Sequence, residues 1–125
     1  MNGVPESMVS VENLRKKFGD VEVVKGISFQ ISRGEFFGLL GPNGAGKTTT
    51  IGMLTGLVEP DGGRILIDGN DFFLKPMQSK AKMGFVPQAF ALYPTLCALD
   101  NLTFFARLYG LRKGRLKERI TAVLD

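Results

Sequence analysis

Apolar and polar positions alternate with a period near two over residues 9–18, 21–25 and 27–31, so three strands are predicted there. Gly19 and Asp20 mark the turn between the first two. Arg33-Gly34 turns the chain into residues 35–40 (EFFGLL), a short apolar run that reads as a buried strand. The period then becomes helical over residues 48–57, with Ile51, Leu54 and Val58 on one face. Residues 59–63 (EPDGG) form a turn cluster, and residues 64–68 (RILID) a short strand ending in the turn Asp68-Gly69-Asn70. Residues 74–82 predict a short helix with Pro76 in its first turn, residues 83–86 a short strand, and residues 88–94 a loop. Thr95 is the expected N-cap of a helix running to about Leu108, with Leu99, Leu102, Phe105 and Ala106 at helical spacing and Gly110 closing it. A last helix begins near Gly114 and carries Leu116, Ile120, Val123 and Leu124 on one stripe. Strands precede and then interleave with helices. The expected class is therefore α/β with an antiparallel first part. Residues 1–8 carry no pattern and are expected to be disordered.

One octet changes the picture. Residues 41–48 read GPNGAGKT and fit the G-x-x-x-x-G-K-[ST] loop that cradles nucleotide phosphates. Several backbone N–H groups must converge on a polyphosphate, so the chain has to curl tightly. Glycines at 41, 44 and 46 permit positive φ values and a close approach that a Cβ would block. Lys47 would reach the terminal phosphates, and Thr48 would place its hydroxyl on Mg2+. The following helix would aim its positive end at the phosphates. Apolar strand, glycine loop and helix in succession are the context this motif demands. The competing reading is a glycine-rich turn between two core elements.

Composition adds boundaries. With 125 residues, 44% of them apolar and 22% charged, the chain is one domain or part of one. It has no histidine, which excludes imidazole bases and imidazole metal ligands. Cys97 is the only cysteine, so no internal disulfide can form; it is expected to be a buried small hydrophobe rather than a nucleophile. Of the +4 net charge, much sits in Arg112, Lys113, Arg115, Lys117 and Arg119. These read as the solvated face of a helix, the alternative being a patch for an anionic membrane or nucleic acid. No nucleic-acid motif or aromatic interleaving supports a nucleic-acid partner, and none is expected. No signal peptide is evident, and the uncharged run at residues 83–99 is short and broken by Pro87, Gln88 and Pro94.

Four blocks in this order resemble one family: GLLGPNGAGKTTTIGMLTGL, DGGRILIDG, GFVPQ and YPTLCALDNLTFFARLYG. Over residues 9–125 the chain is similar to the N-terminal portion of the ATP-binding subunit of an ABC transporter. The resemblance implies a P-loop NTPase fold, with the β part and phosphate-loop core over residues 9–87 and the start of a helical subdomain over residues 88–125. It implies that residues Asn43, Gly44, Ala45, Gly46, Lys47, Thr48 and Thr49 wrap the phosphates of ATP. Phe18 stands where the family has an aromatic residue that stacks on adenine; the other reading of Phe18 is a strand-end core residue. Gln88 matches the family's glutamine that contacts Mg2+ or the attacking water and senses the transmembrane partner. Phe90, Leu92 and Tyr93 fall where the membrane subunit docks, or else are ordinary core. The implied cofactors are ATP and Mg2+. The implied partners are transmembrane subunits and a second nucleotide-binding subunit, and the implied location is the cytoplasmic face of the membrane. No N-K-x-D guanine-reading motif occurs.

Hydrolysis also needs an acid on Mg2+ and a group that orients water. Asp68 ends an apolar run but aligns with the family's β-hairpin turn, and Asp125 continues a helical period. The family's LSGGQ signature, metal Asp, catalytic Glu and switch His do not occur in the sequence. The chain reads as cut inside an amphipathic helix. It is expected to turn over ATP weakly or not at all by itself and to be marginally stable. In full length it would hydrolyse ATP by in-line attack of water, helped by Lys47, Thr48 and Gln88. The alternatives are a non-catalytic ATP-binding regulator and, more remotely, a small phosphate-loop kinase.

Overall fold

The computed structural model describes residues 7–89 and 91–125. The described residues form two compact units, one up to Phe85 and one over Val86–Asp125.

The first unit is built on a sheet of order β2-β1-β3-β4, antiparallel throughout. Strands β1 (Ser7–Phe18) and β2 (Val21–Ser32) form a hairpin about Gly19-Asp20. β3 (Gly62–Ile67) adds to the other side of β1 with Val9 opposite Ile67 and Val11 opposite Ile65. The two runs expected at residues 21–25 and 27–31 are one strand. Gly26 lies between them at φ +86°, where a Cβ would meet Asn13 Oδ1 at 2.6 Å. Opposite it, Asn13 has φ +47°, and the pairing shifts register between Val11 and Leu14. Residues three apart on an unbroken strand face opposite sides. The bulge supplies the extra residue that returns Leu14 to the face of Val11, and both are buried.

The core gathers Val11, Leu14, Val24, Met53, Ile65, Ile67 and Phe72. Met53 comes from α1 (Lys47–Leu54), which ends earlier than the expected residue 57. Gly56 takes φ +70°, its N–H bonds to the Met53 carbonyl at 3.2 Å, and Leu57 N–H bonds to the Gly52 carbonyl at 2.8 Å. That paired closure stops a helix and needs a glycine at its left-handed position. Thr50, Gly52 and Met53 are the buried residues of α1, whereas Ile51 is exposed, contrary to the expected Ile51–Leu54–Val58 stripe.

β3 turns through Asp68 and Gly69, with φ of +48° and +73°, into β4 (Asn70–Asp71). Two central residues with positive φ are what a tight right-twisted hairpin requires. α2 (Pro76–Lys80) follows, with proline in its first turn as expected.

Two expected strands are not formed. Residues 35–40 form no strand, with Phe36 fully exposed at 101% and Leu40 nearly so; Phe37 stacks on Phe29 with ring centroids 5.0 Å apart. Residues 83–86 likewise form no strand, and Val86 is exposed. An apolar run becomes a buried strand only where neighbours complete its hydrogen-bond ladder, and no described residue does so for either segment.

The second unit carries α3 (Ala98–Leu108) and α4 (Lys113–Leu124). Gly110 closes α3 at φ +80° as expected, with Gly110 N–H on the Arg107 carbonyl at 2.9 Å and Leu111 N–H on Ala106 at 3.0 Å. The N-cap is Cys97 rather than Thr95, which lies inside a turn closed by Leu96 N–H on the Tyr93 carbonyl at 3.1 Å. Cys97 is exposed, not buried as expected; its thiol donates to the Asp100 carboxylate at 3.1 Å. Ile120 is the buried residue of α4, and its basic side chains are solvated. No helix among the described residues is long and apolar enough to cross a membrane.

Candidate phosphate-binding site

Residues 43–49, with Val23 of β2, line a hollow of about 200 Å3 at the start of α1. Gly44 and Gly46 adopt φ of +81° and +85°. At Gly44 a side chain would meet open space; at Gly46 a Cβ would lie 2.8 Å from the Val23 carbonyl oxygen. The loop therefore needs glycine at 44 for its turn alone and at 46 for both its turn and its approach to β2. Gly41 has no positive φ, and its added Cβ would touch Ala45 Cβ at 3.2 Å.

Gly46 is also the N-cap of α1 and places no side chain before the helix. The N–H groups of Lys47, Thr48 and Thr49 begin the helix and so have no carbonyl one turn back. They point toward the loop with the positive end of the helix dipole. Thr50 fastens the loop from behind: its N–H and its hydroxyl each donate to the Gly46 carbonyl at 2.8 Å. Sequence reasoning missed this residue, although a threonine one turn into a helix commonly bonds back to a carbonyl.

The Lys47 ammonium folds back over the loop, donating to the carbonyl oxygens of Gly41 and, at 2.7 Å, of Pro42. A cation parked on two neutral carbonyls retains a full charge for an anion. Thr48 is exposed and Thr49 half-buried, and Asn43 is exposed at the loop's rim. The donor set, a lysine, helix-start N–H groups and a hydroxyl, suits a polyphosphate and supplies one oxygen to a hard cation.

A wider hollow of about 620 Å3 adjoins the loop, walled by Val21, Val23, Lys25 and Ile27 of β2 with Leu39 and Lys47. Phe18 ends β1 opposite Val21. Its ring is 52% exposed, with Lys16 Nζ 5.5 Å from the centroid, so it is not a core residue.

Asp68 lies in the β3–β4 turn, its carboxylate bonded to Lys82 and, at 2.8 Å, to Arg33. The Lys82 hydrogen bond and charge, with Arg33 behind them, hold it below the usual carboxylate range. That carboxylate is committed to cations within the fold. Among the described residues, no group of three acidic or thiol side chains is placed to hold a metal. Gln88 is exposed and belongs to the second unit. Leu92 and Tyr93 are exposed there too, and Phe90 lies outside the described residues.

The sequence model of the ABC transporter family matches residues 24–125. The chain belongs to that family. It is 50% identical over 118 residues to the linearmycin resistance ATP-binding protein LnrL of Bacillus subtilis (strain 168), covering 94% of this chain and 38% of that protein. It is 44% identical over 128 residues to the probable multidrug ABC transporter ATP-binding protein YbhF of Escherichia coli (strain K12), covering 100% of this chain and 22% of that one. Among solved structures, an ATP-binding subunit of an ABC transporter matches with a TM-score of 0.76 at 33% identity, over 86% of this chain and 45% of that one. The cbiO1 protein of Clostridium perfringens, part of the ABC transporter complex cbiONQ, matches with a TM-score of 0.77 at 27% identity, over 95% and 49%. This chain thus spans less than half of each of these four proteins. It carries the antiparallel β part and the phosphate-loop helix of the ABC ATP-binding domain, a P-loop NTPase fold.

Proposed function

We propose that residues 43–49 bind the phosphates of ATP and that the whole protein hydrolyses ATP to power transport through membrane-embedded partner subunits. The observation that carries this reading is the glycine loop, closed on Val23, that sets Lys47 and the uncapped start of α1 around one hollow. In this reading Lys47 leaves the Gly41 and Pro42 carbonyls to neutralise charge on the terminal phosphates. The N–H groups at positions 47–49 hold the phosphate oxygens, and Asn43 and Ala45 border them. Thr48 offers its hydroxyl to Mg2+, which would supply charge neutralisation on the phosphates. The adenine ring stacks on the exposed Phe18, with the apolar wall of Val21 and Val23 beneath the nucleoside. Gln88 orients the attacking water.

We further infer that the exposed Leu92 and Tyr93, with Phe90, form part of the surface on which a membrane subunit docks. The protein would then lie at the cytoplasmic face of the membrane and work with a second nucleotide-binding subunit. Transport cargo is left to those membrane partners.

A non-catalytic role for the chain as it stands is favoured by Asp68. Its carboxylate is tied to Arg33 and Lys82 and is not offered to a metal ion. On this second reading the 125 residues bind ATP without turning it over.

Calorimetric titration with MgATP tests both readings. Binding by the chain that Lys47→Ala weakens at least tenfold, with no phosphate release, is expected. Binding indifferent to Lys47 would overturn the site. In the full-length protein, Lys47→Ala is expected to cut turnover at least a hundredfold, about 2.7 kcal/mol of transition-state stabilisation.

A further inference from the structure

Asn101 lies in the second turn of α3 and is only 5% exposed. A buried carboxamide in a helix needs partners, and these are all backbone groups of the segment just before the helix. Its Oδ1 accepts the Tyr93 N–H at 2.8 Å. Its Nδ2 lies 3.1 Å from each of the carbonyls of Tyr93, Leu96 and Cys97, which share its two hydrogens. The Tyr93 backbone is thus held at both its N–H and its carbonyl by one side chain. Carboxamides alone among uncharged side chains combine an acceptor with a two-hydrogen donor.

The side chain of Tyr93 is fixed separately. Its ring meets Phe104 edge-on at 5.2 Å and lies near-parallel to Phe105 at 6.3 Å. Yet Tyr93 remains 48% exposed, and its neighbours Leu92 and Leu96 are exposed as well. A loop whose apolar side chains stay in water gains little from burial to fix its shape. Its order comes from a polar clamp instead. Interior hydrogen-bond networks of this kind impose one conformation, and a pre-formed loop loses less freedom when a partner binds.

We propose that Asn101 is a positioning residue: it holds residues 93–97 in the shape that presents Leu92, Tyr93 and Leu96 to an apolar segment of the membrane subunit. This rests on the docking reading above. Asn101 touches neither nucleotide nor partner, and acts through the Tyr93 backbone.

The test uses the full-length ATP-binding subunit with its membrane subunits. Asn101→Ala is expected to weaken assembly at least tenfold, while the isolated subunit's KM for ATP moves less than twofold. Amide exchange at Tyr93 is expected to be slow in the wild type and fast in the variant. Asn101→Ser keeps a donor for the Cys97 carbonyl, one turn back, and releases Tyr93. It gives the same tenfold loss if the loop clamp matters, and decides the question if the alanine variant does not fold. Wild-type assembly by Asn101→Ser with a released Tyr93 amide overturns the proposal. So does a rise in KM that matches the loss of assembly, which marks a general structural role. The double variant Leu92→Ala/Tyr93→Ala tests the underlying reading. If it weakens assembly and Asn101→Ser does not, docking stands and the clamp fails. If it leaves assembly intact, the docking surface is elsewhere and the proposal falls with it.

Discussion

The α-carbon of Gly46 sits so close to the carbonyl oxygen of Val23 that a Cβ would lie 2.8 Å from it. This contact pins the phosphate loop to β2. Gly46→Ala therefore meets a left-handed φ of +85° and a backbone clash together. The left-handed conformation alone costs about 1–2 kcal/mol for an L-residue. Gly44→Ala at φ +81° meets open space and bears only that conformational term. Urea unfolding should therefore rank Gly46→Ala as the more damaging, and ATP affinity should follow the same order. Equal midpoints for the two variants would show that the Val23 contact is unimportant.

Gly63 is a stricter position. Its φ is +87°, and a Cβ would lie 2.5 Å from the carbonyl oxygens of both Glu12 and Asn13. Those oxygens belong to the β1 bulge that returns Leu14 to the core. Gly63→Ala should destabilise the sheet by about 2 kcal/mol or more, combining backbone strain with overpacking. Denaturant unfolding checks this, and a loss under about 0.5 kcal/mol, the usual range of neutral surface changes, counts against it.

Acid should weaken the β1–β3 corner through Asp61. Its carboxylate accepts the Lys17 N–H at 2.7 Å and the Lys16 ammonium at 3.0 Å. These, the backbone bond first, lower its pKa from 3.8. A depressed folded-state pKa means that the stabilisation is fully present above about pH 3.8, and is lost as pH falls through the lower folded value. Asp61→Asn should remove that part of the acid sensitivity and leave the neutral-pH midpoint less salt-dependent, since exposed pairs are screened. Unfolding midpoints between pH 5 and 2 decide it.

Apolar exposure at residues 35–40 predicts self-association. Phe36 and Leu40 lie in water on a segment with no strand partner, and exposed apolar segments with free backbone groups template pairing with other chains. Light scattering of the 125-residue chain should rise with concentration, and Phe36→Lys should reduce it. Scattering unchanged by that substitution would place the sticky surface elsewhere.

The sequence alone determined the glycine loop and most local geometry, because both are written in neighbouring residues. The octet at 41–48, the hairpins at Gly19-Asp20 and Asp68-Gly69, Pro76 opening α2 and Gly110 closing α3 follow from spacing and from glycine and proline stereochemistry. Tertiary structure decided what depends on distant partners. Residues 35–40 and 83–86 have strand-like composition, yet a strand exists only where another segment completes its ladder. Leu14 reaches the core only through the bulge at Asn13, which forms against Gly26 and Gly63. Gly56 ends α1 earlier than apolar spacing suggests because its left-handed turn closes on Gly52 and Met53. Cys97 is exposed although its neighbours are apolar. The importance of Asn101 could not be read from one polar letter in a helix, since it lies in the backbone groups that the fold brings to its amide.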